Sequence, residues 1–364
     1  MKKIKIYLQY PWKFPDSPYY KYLIDNPPEN VEYLNIKKQK GVITSKKFFW
    51  FSNFLKRNIR KFVVLFKLSI PNAHLTKTKQ KFDLIHCAHC LSLNKGPWVG
   101  DFEGPWQFSV SGEYSQSGKR LMGRILKKEN CKKIIAWTKA AKNNILKEFP
   151  ETKGKVEMVY PAVFVPKIKK KKHKQINLLF VGRYFYAKGG LHALEVFDKL
   201  TKKYENVKAI IVSEIPKVVK EKYSRNKKIE FYGLIPQKEL FDLYSKSDIF
   251  IYPGYSDSFG FMYLEAMGFG IPVITVDGFA KKEIISEGET GFVINRLEKI
   301  NPKIIGPKEK QLINEIIKKA DRLIKNKKLR EKMSKNSVET IKKGRFSIKE
   351  RNTKLEKIYE KALK

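Results

Sequence analysis

Two cations close together in sequence are the first residues here that could do chemistry. In Leu178-Leu-Phe-Val-Gly-Arg-Tyr-Phe-Tyr-Ala-Lys-Gly-Gly-Leu191 an apolar run ends at Val181 and Gly182 permits a tight turn. Arg183 and Lys188 then flank a short loop before a helix opens near Gly189 and Gly190. Open α/β sheets take their ligands beyond the carboxyl ends of their strands. Two fixed cations there, beside a helix N-terminus, make an anion site suited to a diphosphate. Read alone, the loop is equally a surface turn whose Arg and Lys are solvated.

A second segment strengthens the first reading: Phe250-Ile-Tyr-Pro-Gly-Tyr-Ser-Asp-Ser-Phe-Gly-Phe-Met-Tyr-Leu-Glu-Ala-Met-Gly-Phe-Gly-Ile-Pro-Val-Ile-Thr275. A strand delivers the chain to a Pro-Gly turn, with Asp257 at its mouth. Gly260 opens a helix whose body (Met262, Leu264, Ala266, Met267) is apolar and hence expected to be buried. Glu265 is the one charged residue on that helix. A buried carboxylate is costly unless strong donors meet it, such as sugar hydroxyls or cations; the bland alternative is a lysine partner within the domain. Both carboxylates are expected to face one cleft at the N-terminal end of the helix. The N–H groups of Phe259 and Gly260 would be available there to oxygen anions.

These residues need a scaffold, and the alternation of short apolar runs with amphipathic helical patterns supplies one: parallel sheets wrapped by helices. In the first half, 3–8, 82–86, 132–136 and 155–159 read as strands, with a helix over 139–149. The run 167–174 holds a single apolar residue, Ile168, and reads as a solvated linker. Strands then follow at 176–181, 207–212, 228–232, 248–252, 272–276 and 292–294, and the tail from Lys308 is helical and heavily charged. The expected organisation is an α/β chain of two Rossmann-like doubly wound domains facing a cleft, 1–166 and 175–344, with a C-terminal helix, 345–364, crossing back to the first.

Length and composition agree. The 364 residues suit about two domains, and 42% hydrophobic with 13% aromatic residues excludes global disorder. Three cysteines are too few for a disulfide scaffold and fit a reducing compartment. No apolar run approaches the roughly 18 residues needed to span a bilayer, and Met1–Tyr10 reads as a first strand, not a secretion signal, so a cytoplasmic protein is expected. The charge balance, 76 − 36 = +40, points to an anionic partner such as a phosphorylated small molecule, an acidic membrane face or nucleic acid.

The motifs in their order resemble the retaining glycosyltransferases of the GT-B fold, specifically the large family 4. Gly182, Arg183, Lys188 and Gly189 match its Gly-Arg-x(4)-Lys-Gly loop. Phe259, Gly260, Leu264, Glu265, Ala266 and Met267 match the context of its Glu-x(7)-Glu motif, and Gly270, Pro272, Val273 and Ile274 its Gly-x-Pro-Val-Ile. Gly278, Glu283, Gly288, Gly291, Phe292 and Val293 match the glycine-rich turn that follows, and Phe346-Ser347 and Ile358-Tyr359 resemble the closing helix. The specific part covers about residues 176–294.

The resemblance implies transfer of a sugar from a nucleotide-diphosphate sugar to an acceptor hydroxyl, in cell-envelope glycan, glycolipid or polysaccharide synthesis, with neither cofactor nor metal. It assigns Arg183 and Lys188 to the donor's diphosphate, Glu265 to the ribose hydroxyls, and the backbone around 233–235, Ile235 included, to the base. Asp257 stands where the family has the first Glu, one methylene longer, which touches the donor sugar. The first domain departs more: Gln9-Tyr-Pro-Trp-Lys-Phe-Pro15 replaces a Gly-Gly loop. Where many members carry a catalytic His, this chain has Trp98-Val-Gly-Asp-Phe-Glu-Gly-Pro-Trp106, so Asp101 or Glu103 is a candidate general base. The alternative is a structural turn with exposed carboxylates.

Other features compete less well. His86-Cys-Ala-His-Cys90 has no second ligand pair for a structural zinc and reads as a strand-end turn in which His89 could touch the acceptor. No Asp-x-Asp triplet occurs. Over 46–68, Phe51, Leu55, Ile59, Phe62 and Phe66 fall on one helical stripe among Lys and Arg; it either packs on the sheet or touches an anionic membrane. A nucleic-acid-binding protein without catalytic activity rests on charge alone, with no recognition motif to support it. A dehydrogenase fails for want of Gly-x-Gly-x-x-Gly after the first strand of either domain.

Overall fold

Runs such as Leu178–Val181 and Ala209–Val212 are apolar on both pleat faces, which only a parallel sheet covered by helices on each side can bury. The computed structural model, which describes residues 3–10, 18–36, 54–55, 58, 61–62, 65–66, 70–166, 170 and 173–364, contains two such sheets. The chain divides into two units, Met1–Ala162 with Arg345–Lys364, and Val163–Gly344. The expected linker at 167–174 lies just beyond that boundary. Lys170 and His173 are not simply solvated: their nitrogens stand 3.7 and 3.5 Å from the Asp248 carboxylate.

In the first unit the strands are β1 (Ile4–Gln9), β2 (Val31–Leu34), β3 (Ala73–His74), β4 (Leu84–Cys87), β5 (Leu91–Ser92), β6 (Trp98–Phe102), β7 (Cys131–Ala136) and β8 (Val156–Met158). Six of them form a parallel sheet in the order β2-β1-β4-β6-β7-β8, while β3 and β5 pair separately. Helices α1 (Pro18–Asp25), α2 (Gln116–Lys127) and α3 (Lys139–Glu148) connect them. Ile85, Trp98, Phe102, Phe108, Leu126, Ile134 and Phe149 fill the core, each contributing about 1.5–3 kcal/mol by its burial. Sequence periodicity does not announce β6, because Gly100 and Asp101 are poor strand formers. Gly100 is nevertheless apt there: a Cβ would meet the Trp98 ring at 3.1 Å. Of the stripe over 46–68, Leu55, Phe62 and Phe66 are exposed, contrary to packing on the sheet; Phe51 and Ile59 lie outside the described residues.

The second unit carries β9 (Ile176–Val181), β10 (Val207–Val212), β11 (Ile229–Tyr232), β12 (Ile249–Ile251), β13 (Val273–Val276) and β14 (Gly291–Ile294), all parallel, in the order β11-β10-β9-β12-β13-β14. Its helices are α4 (Gly190–Lys203), α5 (Lys217–Tyr223), α6 (Gln237–Ser245), α7 (Phe261–Gly268), α8 (Lys281–Ile284), α9 (Pro307–Lys325) and α10 (Lys327–Lys342).

The last helix, α11 (Ile348–Leu363), groups with the first unit. The Arg351 guanidinium, fully buried, donates to the carbonyls of Tyr22 at 3.2 Å and Asn26 at 2.5 Å. The Tyr359 hydroxyl meets the Tyr33 hydroxyl at 2.9 Å and His86 Nδ1 at 2.8 Å. Ser347 caps α11, its Oγ accepting from the Glu350 N–H at 3.2 Å. Ser347→Ala is therefore expected to lower the unfolding free energy by about 1 kcal/mol, measured by urea denaturation; no loss would mean that packing alone holds α11.

Candidate functional site

Numbered along the chain, the strands of the second sheet run 3-2-1-4-5-6, so the winding reverses between β9 and β12. Doubly wound sheets bind ligands at such a reversal, beyond the carboxyl ends of its two strands. The loop after β9 carries Gly182, Arg183 and Lys188, and the loop after β12 carries Asp257. The two loops touch: the Gly254 N–H donates to the Lys188 carbonyl at 3.0 Å. Gly189, at φ +81°, abuts Pro253 so closely that a Cβ would fall 2.6 Å from the Pro253 Cβ. That approach sets Lys188 Nζ 2.5 Å from Asp257 Oδ1, while the Tyr252 hydroxyl donates to Asp257 Oδ2 at 2.7 Å. Burial, and after it the Asp257 charge, pushes the Tyr252 phenol well above its usual range, so it stays a donor.

The other residues expected to bind the donor lie in the same unit. Gly182 is pinned to the neighbouring strand, its N–H on the Val212 carbonyl at 3.0 Å and its own carbonyl accepting from Ser213 Oγ at 2.5 Å; Arg183 follows it, half-buried. Phe259 is buried, and Gly260 caps α7 at φ +86°, where a Cβ would strike the Tyr263 ring at 2.6 Å. Glu265 is 6% exposed, and the Tyr244 hydroxyl donates to its Oε2 at 3.3 Å. Ile235 stands half-buried in the loop after β11, the edge strand of the sheet. Sequence reasoning passed over Tyr252, Tyr244 and Lys281.

In the first unit the winding reverses between β1 and β4, and His89 lies just past β4 in a left-handed conformation, φ +56°. Its ring is buried against Trp137, centroids 4.7 Å apart, and its Nε2 is 3.8 Å from Glu103 Oε2. Burial lowers the His89 pKa, opposed by the Glu103 and Asp101 charges. Asp101 differs from the expected turn carboxylate. It lies on β6, wholly removed from solvent, and accepts from Tyr19 Oη (3.1 Å), Tyr20 Oη (2.9 Å), His86 Nε2 (2.8 Å) and Trp137 Nε1 (3.3 Å). With both oxygens so engaged Asp101 is held within the fold, whereas Glu103 is only half-buried. Cys87 and Cys90 are buried thiols: Cys90 Sγ donates to Cys87 Sγ at 3.1 Å, and Cys87 Sγ to Gln9 Oε1 at 2.9 Å. Among the described residues no group of three His, Cys, Asp or Glu side chains is placed to hold a metal ion, and no helix is long and apolar enough to cross a membrane.

Residues 164–340 match the family described as glycosyl transferases group 1. The chain is 30% identical over 158 residues to an uncharacterized 41.2 kDa protein in the cps region of Klebsiella pneumoniae, covering 40% of this chain and 42% of that one. It is 26% identical over 159 residues to the capsular polysaccharide biosynthesis glycosyltransferase CapM of Staphylococcus aureus, 41% of this chain and 40% of that one. The chain spans about half the length of the curated relatives it matches. Among solved structures, Anabaena HepE in complex with UDP shares the fold at a TM-score of 0.63 and 14% identity, over 98% of both chains.

Proposed function

We propose that this chain, which belongs to the group 1 glycosyl transferases through residues 164–340, moves a sugar from a nucleotide-diphosphate sugar to an acceptor hydroxyl with retention of anomeric configuration. The observation that carries this reading is the Lys188–Asp257 pair, 2.5 Å apart, at the winding reversal of the second sheet. Arg183 and Lys188 hold the donor's diphosphate and offset its charge as it departs, joined by the N–H groups of Phe259 and Gly260. Cations fixed before the reaction stabilise charge that develops in the transition state without reorganising, and they take the place of a metal ion. Asp257 faces the donor sugar, with Lys188 and Tyr252 fixing its carboxylate. Glu265 takes the ribose hydroxyls, one of its oxygens held by Tyr244. Gly182 keeps the loop narrow, and the backbone near Ile235 takes the base. On the acceptor side Glu103, beside His89, receives the hydroxyl proton.

The acceptor in this reading is a cell-envelope glycan or its lipid-linked precursor, as the likeness to CapM suggests, and the protein works at the cytoplasmic face of the membrane. Phe54, Leu55, Phe62, Leu65 and Phe66 are exposed on the basic segment 46–68, which suits contact with an anionic bilayer. Heating the full chain with UDP, GDP, ADP and dTDP in turn tests the core of the reading. One of them at about a hundred times its Kd should raise the unfolding free energy by about 2.7 kcal/mol, and its sugar nucleotides should release that diphosphate slowly in water. No protection by any of them, together with steeply salt-dependent oligonucleotide binding, would leave the +40 charge to nucleic acid instead.

A further inference from the structure

Lys281 begins α8, just past the carboxyl end of β13, and β13 pairs with β12. It therefore sits on the same edge of the sheet as Lys188 and Asp257. Its side chain is 1% exposed, yet its Nζ has no hydrogen-bond partner. Its neighbour Lys282 behaves ordinarily, exposed and paired with Asp277 at 2.5 Å. The Lys281 ammonium lies 5.7 Å from the Phe279 ring centroid. It also shares a narrow space with Arg296: a Cβ on Gly278 would stand 3.7 Å from Lys281 Nζ and 3.5 Å from Arg296 Nη1. A buried ammonium without acceptors is a large desolvation cost, and a second cation alongside adds to it. Folds keep such groups where a ligand completes them.

We propose that Lys281 is a third donor-binding cation of the second unit, its ammonium taking an anionic oxygen of the bound nucleotide-sugar. The inference rests on the glycosyltransferase reading and adds to it a residue outside the Arg183–Lys188 pair. The oxygen belongs either to the diphosphate or to a carboxylate on the transferred sugar. Burial, against the Asp257 and Asp277 charges and with Arg296 and Lys188 on its side, lowers the Lys281 pKa to about 8. An anion bound at Nζ would raise it again. Around pH 8.5, where nucleoside diphosphates and histidines no longer titrate, binding should therefore take up part of a proton.

Calorimetric titration of the full chain at pH 8.5, in two buffers of different ionisation enthalpy, tests this with UDP, UDP-glucose, UDP-glucuronic acid, GDP and ADP. Proton uptake with a diphosphate alone assigns the oxygen to the diphosphate; uptake confined to UDP-glucuronic acid assigns it to the sugar carboxylate. In either case Lys281→Met should abolish the uptake and weaken binding about ten- to hundred-fold. Without ligand the same variant should melt higher than wild type by about 2–6 °C, because it removes a buried, unpartnered charge; a lysine serving only the fold would lose stability instead. A Lys281→Met protein that binds every probe as tightly as wild type, with unchanged uptake, overturns the proposal and leaves the glycosyltransferase reading standing. Wild-type protein that binds none of the probes overturns both.

Discussion

Lys188→Ala is expected to lower the rate of sugar transfer about 10²–10³-fold, the loss seen when one preorganised donor is removed from developing negative charge. The ammonium does two things. In the unliganded protein it neutralises Asp257, and in the proposed reaction it meets the departing diphosphate. The variant should therefore lose kcat, with nucleoside diphosphate protection against heat falling in parallel, because the interaction strengthens as the leaving group gains charge. It should remain folded: Asp257 keeps the Tyr252 hydroxyl at 2.7 Å, and the loops stay joined through the Gly254 N–H and the Lys188 carbonyl, a bond that does not use the side chain. Lys188→Arg keeps the charge but not the compact shape that fits between Gly182 and Asp257, and should recover only part of the rate. Arg183→Ala and Glu265→Ala should abolish transfer likewise, the second chiefly through donor binding. Steady-state kinetics with the donor identified by heat protection checks all four variants. Wild-type turnover in Lys188→Ala would remove the second-unit reversal from the chemistry.

The alternation of apolar runs makes the second sheet legible from sequence, because its inner strands are largely buried on both faces and carry no internal punctuation. The 176–181 and 207–212 strands appear with the boundaries their periodicity implies. The approach of Lys188 to Asp257 is legible too, since the tight turns that bring their two loops together are written in the same segments as Gly and Pro. What escapes is whatever depends on distant partners. Lys281 and Lys282 are identical in type and adjacent, yet one is buried beside Arg296 and the other is exposed on Asp277; only the path of the loop 277–280 tells them apart. In the first unit β6 hides behind Gly100 and Asp101. Asp101 is tolerated inside a sheet because Tyr19, Tyr20, His86 and Trp137 converge on it from α1, β4 and the end of β7. None of those four residues is a sequence neighbour, so no local pattern predicts that the carboxylate would be buried.

That convergence leads to the second large effect, on stability. Asp101→Ala is expected to destabilise the first unit by about 3–5 kcal/mol, the range for breaking a buried charged network by removing one partner. Two tyrosine hydroxyls, an imidazole and an indole N–H would lose their acceptor at once, and no solvent reaches them. His86 also bridges to Tyr359 of α11 through Nδ1 at 2.8 Å, so the loss should reach that helix, and amide exchange along 348–363 should accelerate. Burial alone would push the Asp101 carboxyl up, but the His86 ring, His89 and the Tyr20 hydroxyl outweigh it and hold the group below the usual carboxylate range. A carboxyl depressed in the folded state contributes stability that is fully present above its unfolded pKa, about 4, and is lost as pH falls through the folded value. Wild-type protein should therefore weaken below about pH 4 more steeply than Asp101→Asn, which keeps the shape but has no charge to protonate. Urea midpoints collected from pH 6 downward separate the two, and parallel curves for wild type and Asp101→Asn would mean that the carboxylate is held by shape alone, without net electrostatic gain.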